Sequence, residues 1–223
     1  MHYVSRGEIM KLNFTRLIDF FLLKKDLYSK LTHKTMWLYI GMAFIGIRDV
    51  VFKILEMKSL STGFDNGIIE ISIKTIAILL IAALVIGFVK AISFSYPVFD
   101  IIKHFKKKNE NNSMSLGMVY SSLLTKVIKV YIIANVLVTP IYLLRYFTAY
   151  QADLSGYIIL TYISVVLNIL GYFWFNGAIT RGLCILFKLP ISVRGLVFVL
   201  AFIWNALLSS AIGYLIGLVI VRL

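Results

Sequence analysis

Cysteine is almost absent from this chain of 223 residues: Cys184 stands alone. One thiol cannot close an intrachain disulfide, and a thiolate metal centre is excluded with it. Histidine is nearly as scarce. His2, His33 and His104 lie far apart and lack the spacing of metal ligands, so neither a metal nor a cofactor is expected. Charge is short as well, at 15% of residues against roughly 25% in a typical globular chain. Acidic residues are scarcest, ten against 23 Lys and Arg, which leaves a net charge of +13. What fills the chain is hydrophobic: 60% of residues, with a mean hydropathy of +0.90. Ordinary soluble domains run at about 45–50%. This composition excludes a soluble enzyme, a disordered protein and a secreted disulfide scaffold. It predicts an all-α, polytopic membrane bundle.

Catalytic motifs are missing too. There is no HExxH, no GxSxG, no P-loop and no carboxylate pair beside a histidine, so the chain is expected not to be an enzyme. Cys184, with no base beside it in Gly182-Leu183-Cys184-Ile185-Leu186, reads as an inert thiol facing the membrane.

A helix needs about 20 apolar residues to cross the hydrocarbon. Five stretches meet or approach this: 36–57, 68–94, 127–147, 157–175 and 195–221. Two apolar runs are too long for one straight crossing. Met114 to Phe147 is 34 residues, about 51 Å as a helix, whereas the hydrocarbon is about 30 Å thick. Lys126 and Lys129 divide it, so 114–126 reads as an interfacial helix before the crossing, with a kink at Pro140. Tyr157 to Leu189 is divided at Asn176-Gly177, a break signal. The aromatics before that point, Tyr172 to Phe175, suit an interface belt, and 178–189 would then lie along the surface. A continuous, strongly tilted helix is the alternative reading.

The Lys and Arg bias sets the direction. One side receives the N-terminal segment with Arg6, Lys11, Arg16, Lys24, Lys25, Lys30 and Lys34. It also receives the second-to-third connection with its flanks, from Lys90 to Lys129, and Arg181, Lys188 and Arg194. The other side has only Lys53, Lys58, Lys74, Arg145 and Arg222. The N-terminus is therefore expected in the cytoplasm and the C-terminus outside. Residues 1–35 carry charges throughout and lack a short apolar core with a cleavage site, so no signal peptide is expected. Arg6-Gly7-Glu8 can be encoded by a purine-rich run that would read as a ribosome-binding site before Met10. Either translation begins at Met10, or residues 1–9 are a frayed terminus.

Residues 1–35 form a cytoplasmic, interfacial segment. Within it, Phe14, Leu17, Ile18, Phe21 and Leu22 follow helical spacing between basic residues, the pattern of a helix lying on the inner leaflet. Lys106, Lys107 and Lys108 precede a polar stretch and are candidates for anionic lipid head groups, at about 1 kcal/mol per basic residue near the surface. Their plainer role is to fix topology. Nucleic-acid binding is not expected, because no stacking platform accompanies the charge.

The polar residues of the first span are the candidate site. Arg48, Asp49, Lys53 and Glu56 occupy its outer half, and Asp49, Lys53 and Glu56 share one face at i, i+4, i+7. A charge near the bilayer centre costs about 2.5–3.5 kcal/mol on insertion scales, and pairing along the helix reduces that cost. The face reads either as a polar cavity or as the point where the helix leaves the lipid. Glu70 and Lys74, at the outer end of the second span, would extend the same cluster. Asn135, Asn168 and Asn205 read as interhelix hydrogen bonders. Two small-residue stripes predict close helix packing: Ala83, Gly87, Ala91 and Ser95 in the second span, and Ala201, Asn205, Ser209, Gly213 and Gly217 in the fifth. Packing within the chain is the simpler use of such a stripe, and a homo-oligomer face the other.

Five spans behind an amphipathic cytoplasmic segment, a basic second-to-third connection and an external C-terminus together resemble the Yip-domain (Ypt/Rab-interacting) membrane protein family, in its bacterial branch. Asp26-Leu27-Tyr28-Ser29-Lys30 resembles the Asp-Leu-Tyr-Gly-Pro element that eukaryotic members place before their first span, with Ser-Lys in place of Gly-Pro. The resemblance implies a membrane-organising role and carries over the fold, with no binding residues. The leading expectation is thus a non-enzymatic bacterial inner-membrane protein that organises or assists membrane partners. The alternative is a small transporter or permease subunit with a polar path near Asp49, Lys53 and Glu56. An intramembrane enzyme acting on lipid comes third.

Overall fold

Tyr28 and residues 36–61, 73–109 and 116–221 are described in a computed structural model of the protein. Five helices account for nearly all of them: α1 (Met36–Ser61), α2 (Ile73–Asn109), α3 (Leu116–Ser155), α4 (Ile158–Leu186) and α5 (Ile191–Val221). No strand occurs among the described residues. Four of the helices are long and apolar enough to cross a membrane, over Lys74–His104, Ser122–Ser155, Ile158–Leu186 and Ile191–Ile220. The helix α1 is not among them. Its 26 residues suffice in length, but Arg48, Asp49, Lys53 and Glu56 crowd charge into its second half.

Two expected breaks are absent. α3 runs through Lys126, Lys129 and Pro140 as one helix of 40 residues, so the described part of the expected interfacial helix 114–126, residues 116–126, continues into the crossing without a break. α4 passes through Asn176-Gly177 without ending. Asn176 turns its polar head onto its own helix, its Nδ2 donating to the Tyr172 carbonyl at 2.8 Å. Nor do residues 178–186 lie along a surface. Ala178, Ile179 and Leu183 are fully buried, facing a core that includes Val127, Val130 and Tyr131 of α3. The residues at and after the break signal are packed in the core, and packing outweighs a local propensity. The continuous-helix alternative is the arrangement found.

The helices alternate in direction. α3 and α4 form a long antiparallel pair joined at Gly156, whose positive φ of 68° closes the turn with its N–H on the Ala152 carbonyl at 2.9 Å. α1 and α2 cross more closely still. A Cβ added to Gly46 would fall on the Ala83 carbonyl, and one added to Gly87 would fall on the Met42 carbonyl. Here the expected packing stripe of α2 is in use: Ala83 and Ala91 are buried and Gly87 is at the contact. Small residues let the backbones touch, which is the main source of helix association in lipid.

Pro97 lies inside α2 and cannot donate to the carbonyl four residues back. That carbonyl belongs to Ser93, and Trp204 of α5 supplies the missing donor from its Nε1 at 3.0 Å. A neighbouring helix thus satisfies the group freed by proline, as the membrane interior demands. At the other end of the bundle, α4 closes with Lys188 at a φ of 51° and Leu189 N–H on the Cys184 carbonyl at 3.1 Å. Pro190 then separates α4 from α5.

Hydrophobic burial is uneven along the bundle. The main core fills the end where α4 turns into α5, and includes Phe94, Val98 and Ile102 of α2, Phe175, Ile179, Leu183 and Phe187, and Val197. Tyr28 belongs to this core. Its ring lies against the site where a Cβ on Gly182 would stand, and its hydroxyl donates to the Ala178 carbonyl at 3.4 Å. Burial pushes that hydroxyl up to about 12, with Arg181 opposing the shift, so it stays a neutral donor. The rest of the amphipathic segment 11–31, with Asp26, Leu27, Ser29 and Lys30, lies outside the described residues. The exposed apolar side chains, from Trp37 on α1 to Tyr214 on α5, face outward, as lipid-facing residues do.

Candidate functional site

At the α3–α4 end the bundle is hollow. A cavity of about 540 Å³ lies between all five helices. Most of its lining comes from the C-terminal parts of α1, α3 and α5 and the N-terminal part of α4, with Tyr131 and Asn135 of α3, Phe175 of α4 and Lys90 of α2 near the middle of their helices. Antiparallel alternation brings those ends together on one side.

The floor is charged. Asp49 accepts from Arg48 at 2.6 Å and from Lys90 Nζ at 2.5 Å, one cation on each carboxylate oxygen. Arg48 also donates from Nη1 to the Asn135 carbonyl at 3.2 Å and lies over the Tyr142 ring at 6.0 Å. Three helices are tied through these two contacts. The side chains of Arg48, Asp49 and Lys90 are 8%, 12% and 9% exposed. A charge that far from water is tolerable only when paired and hydrogen-bonded, and this one is both. Nearer the mouth, Lys53 and Glu56 pair at 3.0 Å with side chains 31% and 50% exposed. The exposure gradient along α1 runs from the buried floor to the open end.

Beside the charges, the rings of Tyr131 and Phe175 line the cavity. Tyr131 is stacked on Phe94 at 4.3 Å between centroids and meets Phe175 edge-on at 5.7 Å. Tyr131 is fully buried, and its hydroxyl has no hydrogen-bond partner among the described residues. The walls are amphipathic. Tyr142, Tyr146, Tyr150 and Tyr172 supply rings with polar tips, and Asn168, Asn205 and Ser209 supply amide and hydroxyl groups. Arg145 lies on the wall, and no carboxylate among the described residues pairs with it. No group of three His, Cys, Asp or Glu among the described residues is placed to hold a metal.

Four of the six expected site residues meet here: Arg48, Asp49, Lys53 and Glu56. Lys74 is exposed and lines no part of the cavity, and Glu70 lies outside the described residues. The partners that neutralise Asp49 are instead its neighbour Arg48 and Lys90, which the charge count had placed on the cytoplasmic flank. The three asparagines line the cavity, and Asn135 donates within its own helix, to Tyr131, at 2.8 Å. The fifth-span stripe is also redirected. Asn205, Ser209 and Gly213 face the cavity, an added Cβ on Gly213 would meet nothing within 4 Å, and one on Gly217 would meet only Lys53 at 3.8 Å. Lys106, Lys107 and Lys108 fall in the last turns of α2, and their side chains lie outside the described part.

Sequence reasoning missed Lys90, Arg145 and the tyrosines. Lys90 had a signal of its own: it is an isolated cation inside the apolar run of α2, and an ionisable group within a span marks a site by default. Compared with family models, with characterised proteins and with solved structures, the chain matches none.

Proposed function

We propose that the protein is a non-enzymatic, five-span membrane protein that admits a polar ligand into the cavity between its helices, as a small transporter or the ligand-binding subunit of one. The buried Arg48–Asp49–Lys90 cluster at the foot of that cavity carries the reading. A bundle that needed only to anchor itself would gain stability by filling this space with apolar side chains. In the orientation that the basic residues favour, the N-terminus is cytoplasmic, the membrane is a bacterial inner membrane and the cavity opens outward. The Phe94–Tyr131–Phe175 rings then form the closed gate to the cytoplasmic side. α1 becomes the fifth span because its charges turn into the bundle and not to lipid.

The Yip-like membrane-organising reading is second. Its support is Tyr28, the tyrosine of the resembling element, which is the described anchor of the N-terminal segment in the core. In that reading Lys106 to Lys108 meet anionic head groups, and a membrane-protein partner or a second copy covers the outer surface.

Thiol accessibility separates the two. In a background with Cys184→Ser, Ser209→Cys on the cavity wall is expected to react from outside with a small neutral methanethiosulfonate. It should resist a 5-kDa maleimide polymer, about the bulk of a small domain. Leu207→Cys, on the exposed apolar face, should react with neither. If Ser209→Cys behaves as Leu207→Cys does, the polar-ligand reading is lost.

A further inference from the structure

We infer that the ligand of this cavity carries an oxyanion, a phosphate or carboxylate group, and that Arg145 is the residue that takes it. The inference rests on the polar-ligand reading above and adds the sign and chemistry of the ligand. The lining holds four cations, Arg48, Lys53, Lys90 and Arg145, against two carboxylates, Asp49 and Glu56. The internal pairings consume both acids. Asp49 is shared by Arg48 and Lys90, and Glu56 is held by Lys53. Arg145 is left half-buried on the wall with no carboxylate among the described residues beside it. A guanidinium presents a planar fork of donors that matches a carboxylate or a phosphate through two parallel hydrogen bonds.

A second observation points the same way. The Tyr131 hydroxyl, at the floor, is fully buried and lacks a hydrogen-bond partner among the described residues. Buried hydroxyls are nearly always satisfied, and this one lines the cavity. Arg145 on the wall and the Tyr131 hydroxyl are two donors that the cavity offers to an anionic group. A cation meets the excess positive charge and no unpaired carboxylate. The remaining walls, rich in tyrosine, suit an uncharged or apolar remainder. A soluble oxyanion and the head group of an anionic lipid share this chemistry.

The test uses the full-length protein with Cys184→Ser and Ser209→Cys, in phosphatidylcholine nanodiscs. It compares methanethiosulfonates that are anionic, neutral and cationic, each normalised to its rate with a free thiol. The anionic reagent should react roughly tenfold faster than the cationic one, because a charged, water-poor cleft concentrates its counter-ion. Arg145→Gln should remove most of that ratio and Arg145→Lys should retain it, while the neutral rate is unchanged in both. Inorganic phosphate at millimolar concentration should protect the thiol if the ligand is soluble. Protection that appears only when phosphatidylglycerol is added to the disc assigns the oxyanion to a lipid. A cationic rate equal to or above the anionic one, or protection by neither phosphate nor phosphatidylglycerol, overturns the inference and leaves the polar cavity standing. Exclusion of all three reagents removes the cavity reading itself.

Discussion

Asp49→Ala is expected to be the most destabilising single charge substitution in the bundle. The carboxylate is shared by two cations that are themselves about nine-tenths buried. Removing it strands both, and breaking a buried pair by deleting one partner costs about 3–5 kcal/mol. Total stabilities are about 5–15 kcal/mol, so the loss is large enough to lower the yield of folded protein in mild detergent. Lys90→Met should behave differently. It leaves Asp49 with Arg48 as a neutral pair and replaces the lysine stem with a side chain of similar shape. Its cost should be about 1 kcal/mol or less, since exchanging a buried ion for an apolar group of similar volume is often close to neutral. In the Lys90→Met background, Asp49→Ala strands one cation instead of two. A double-mutant cycle on unfolding free energy should therefore show a coupling of about 1–3 kcal/mol. Equal costs for Asp49→Ala and Lys90→Met, with no coupling, would mean that the three groups do not form one buried cluster.

Gly46→Leu should abolish the fold. The α1–α2 crossing is backbone against backbone: the nearest atoms to a Cβ at Gly46 are the Ala83 carbonyl and the Gly87 nitrogen. Neither is the end of a flexible side chain that can move aside. Even Gly46→Ala forces the helices apart, at the overpacking cost of about 1–3 kcal/mol. Leucine adds three more carbons at the same point. The separation also draws Asp49 away from Lys90, since the two residues sit on the helices being separated, so packing and charge pairing fail together. Gly213→Ala is the control. It is a glycine in a long helix like Gly46, but a Cβ there meets open cavity, and alanine favours the helix over glycine by about 1 kcal/mol. Size-exclusion profiles in detergent should show aggregate or no protein for Gly46→Leu and a normal peak for Gly213→Ala. A normal peak for Gly46→Leu would mean that α1 and α2 do not touch at this point.

The contrast between these glycines shows what the sequence made legible. The stripe of small residues in α2 was readable as a packing face, and Gly87 is used so. The stripe in α5 has the same spacing but lines a cavity at Gly213, because a period-four pattern says which residues share a face and not what that face meets. For Asp49 the sequence left two readings open, a polar cavity or the point where the helix leaves the lipid, and the carboxylate is buried between two cations. Its partners were not legible. Lys90 and Arg145 were counted as topology markers, one on each side, because the charge bias is read along the chain and takes no account of which helix a long side chain leans towards. Arg145 and Asp49 lie 96 positions apart in sequence, and only the parallel alignment of α1 and α3 brings them to one cavity. The expected breaks failed for a related reason. Lys126, Lys129 and Asn176-Gly177 are local signals, and the packed core around 127–138 and 175–189 overrides them. The side chain of Asn176 also bonds back to its own helix. The contact of Phe94, Tyr131 and Phe175 was invisible in the sequence because these look like any other apolar positions until three helices converge.

Everything proposed for the cavity requires that α1 cross the membrane beside α2 and α3, with its charges turned inward, although among the described helices it alone is not apolar enough to qualify by composition. Reporter fusions in the native membrane decide this directly. Fusions after residues 62 and 108 should report opposite faces, with 62 outside and 108 in the cytoplasm. Fusions after 152 and 223 should report the same side as 62. If residues 62 and 108 report one face, α1 and α2 do not both cross as an antiparallel pair, and the five-span cavity is contradicted.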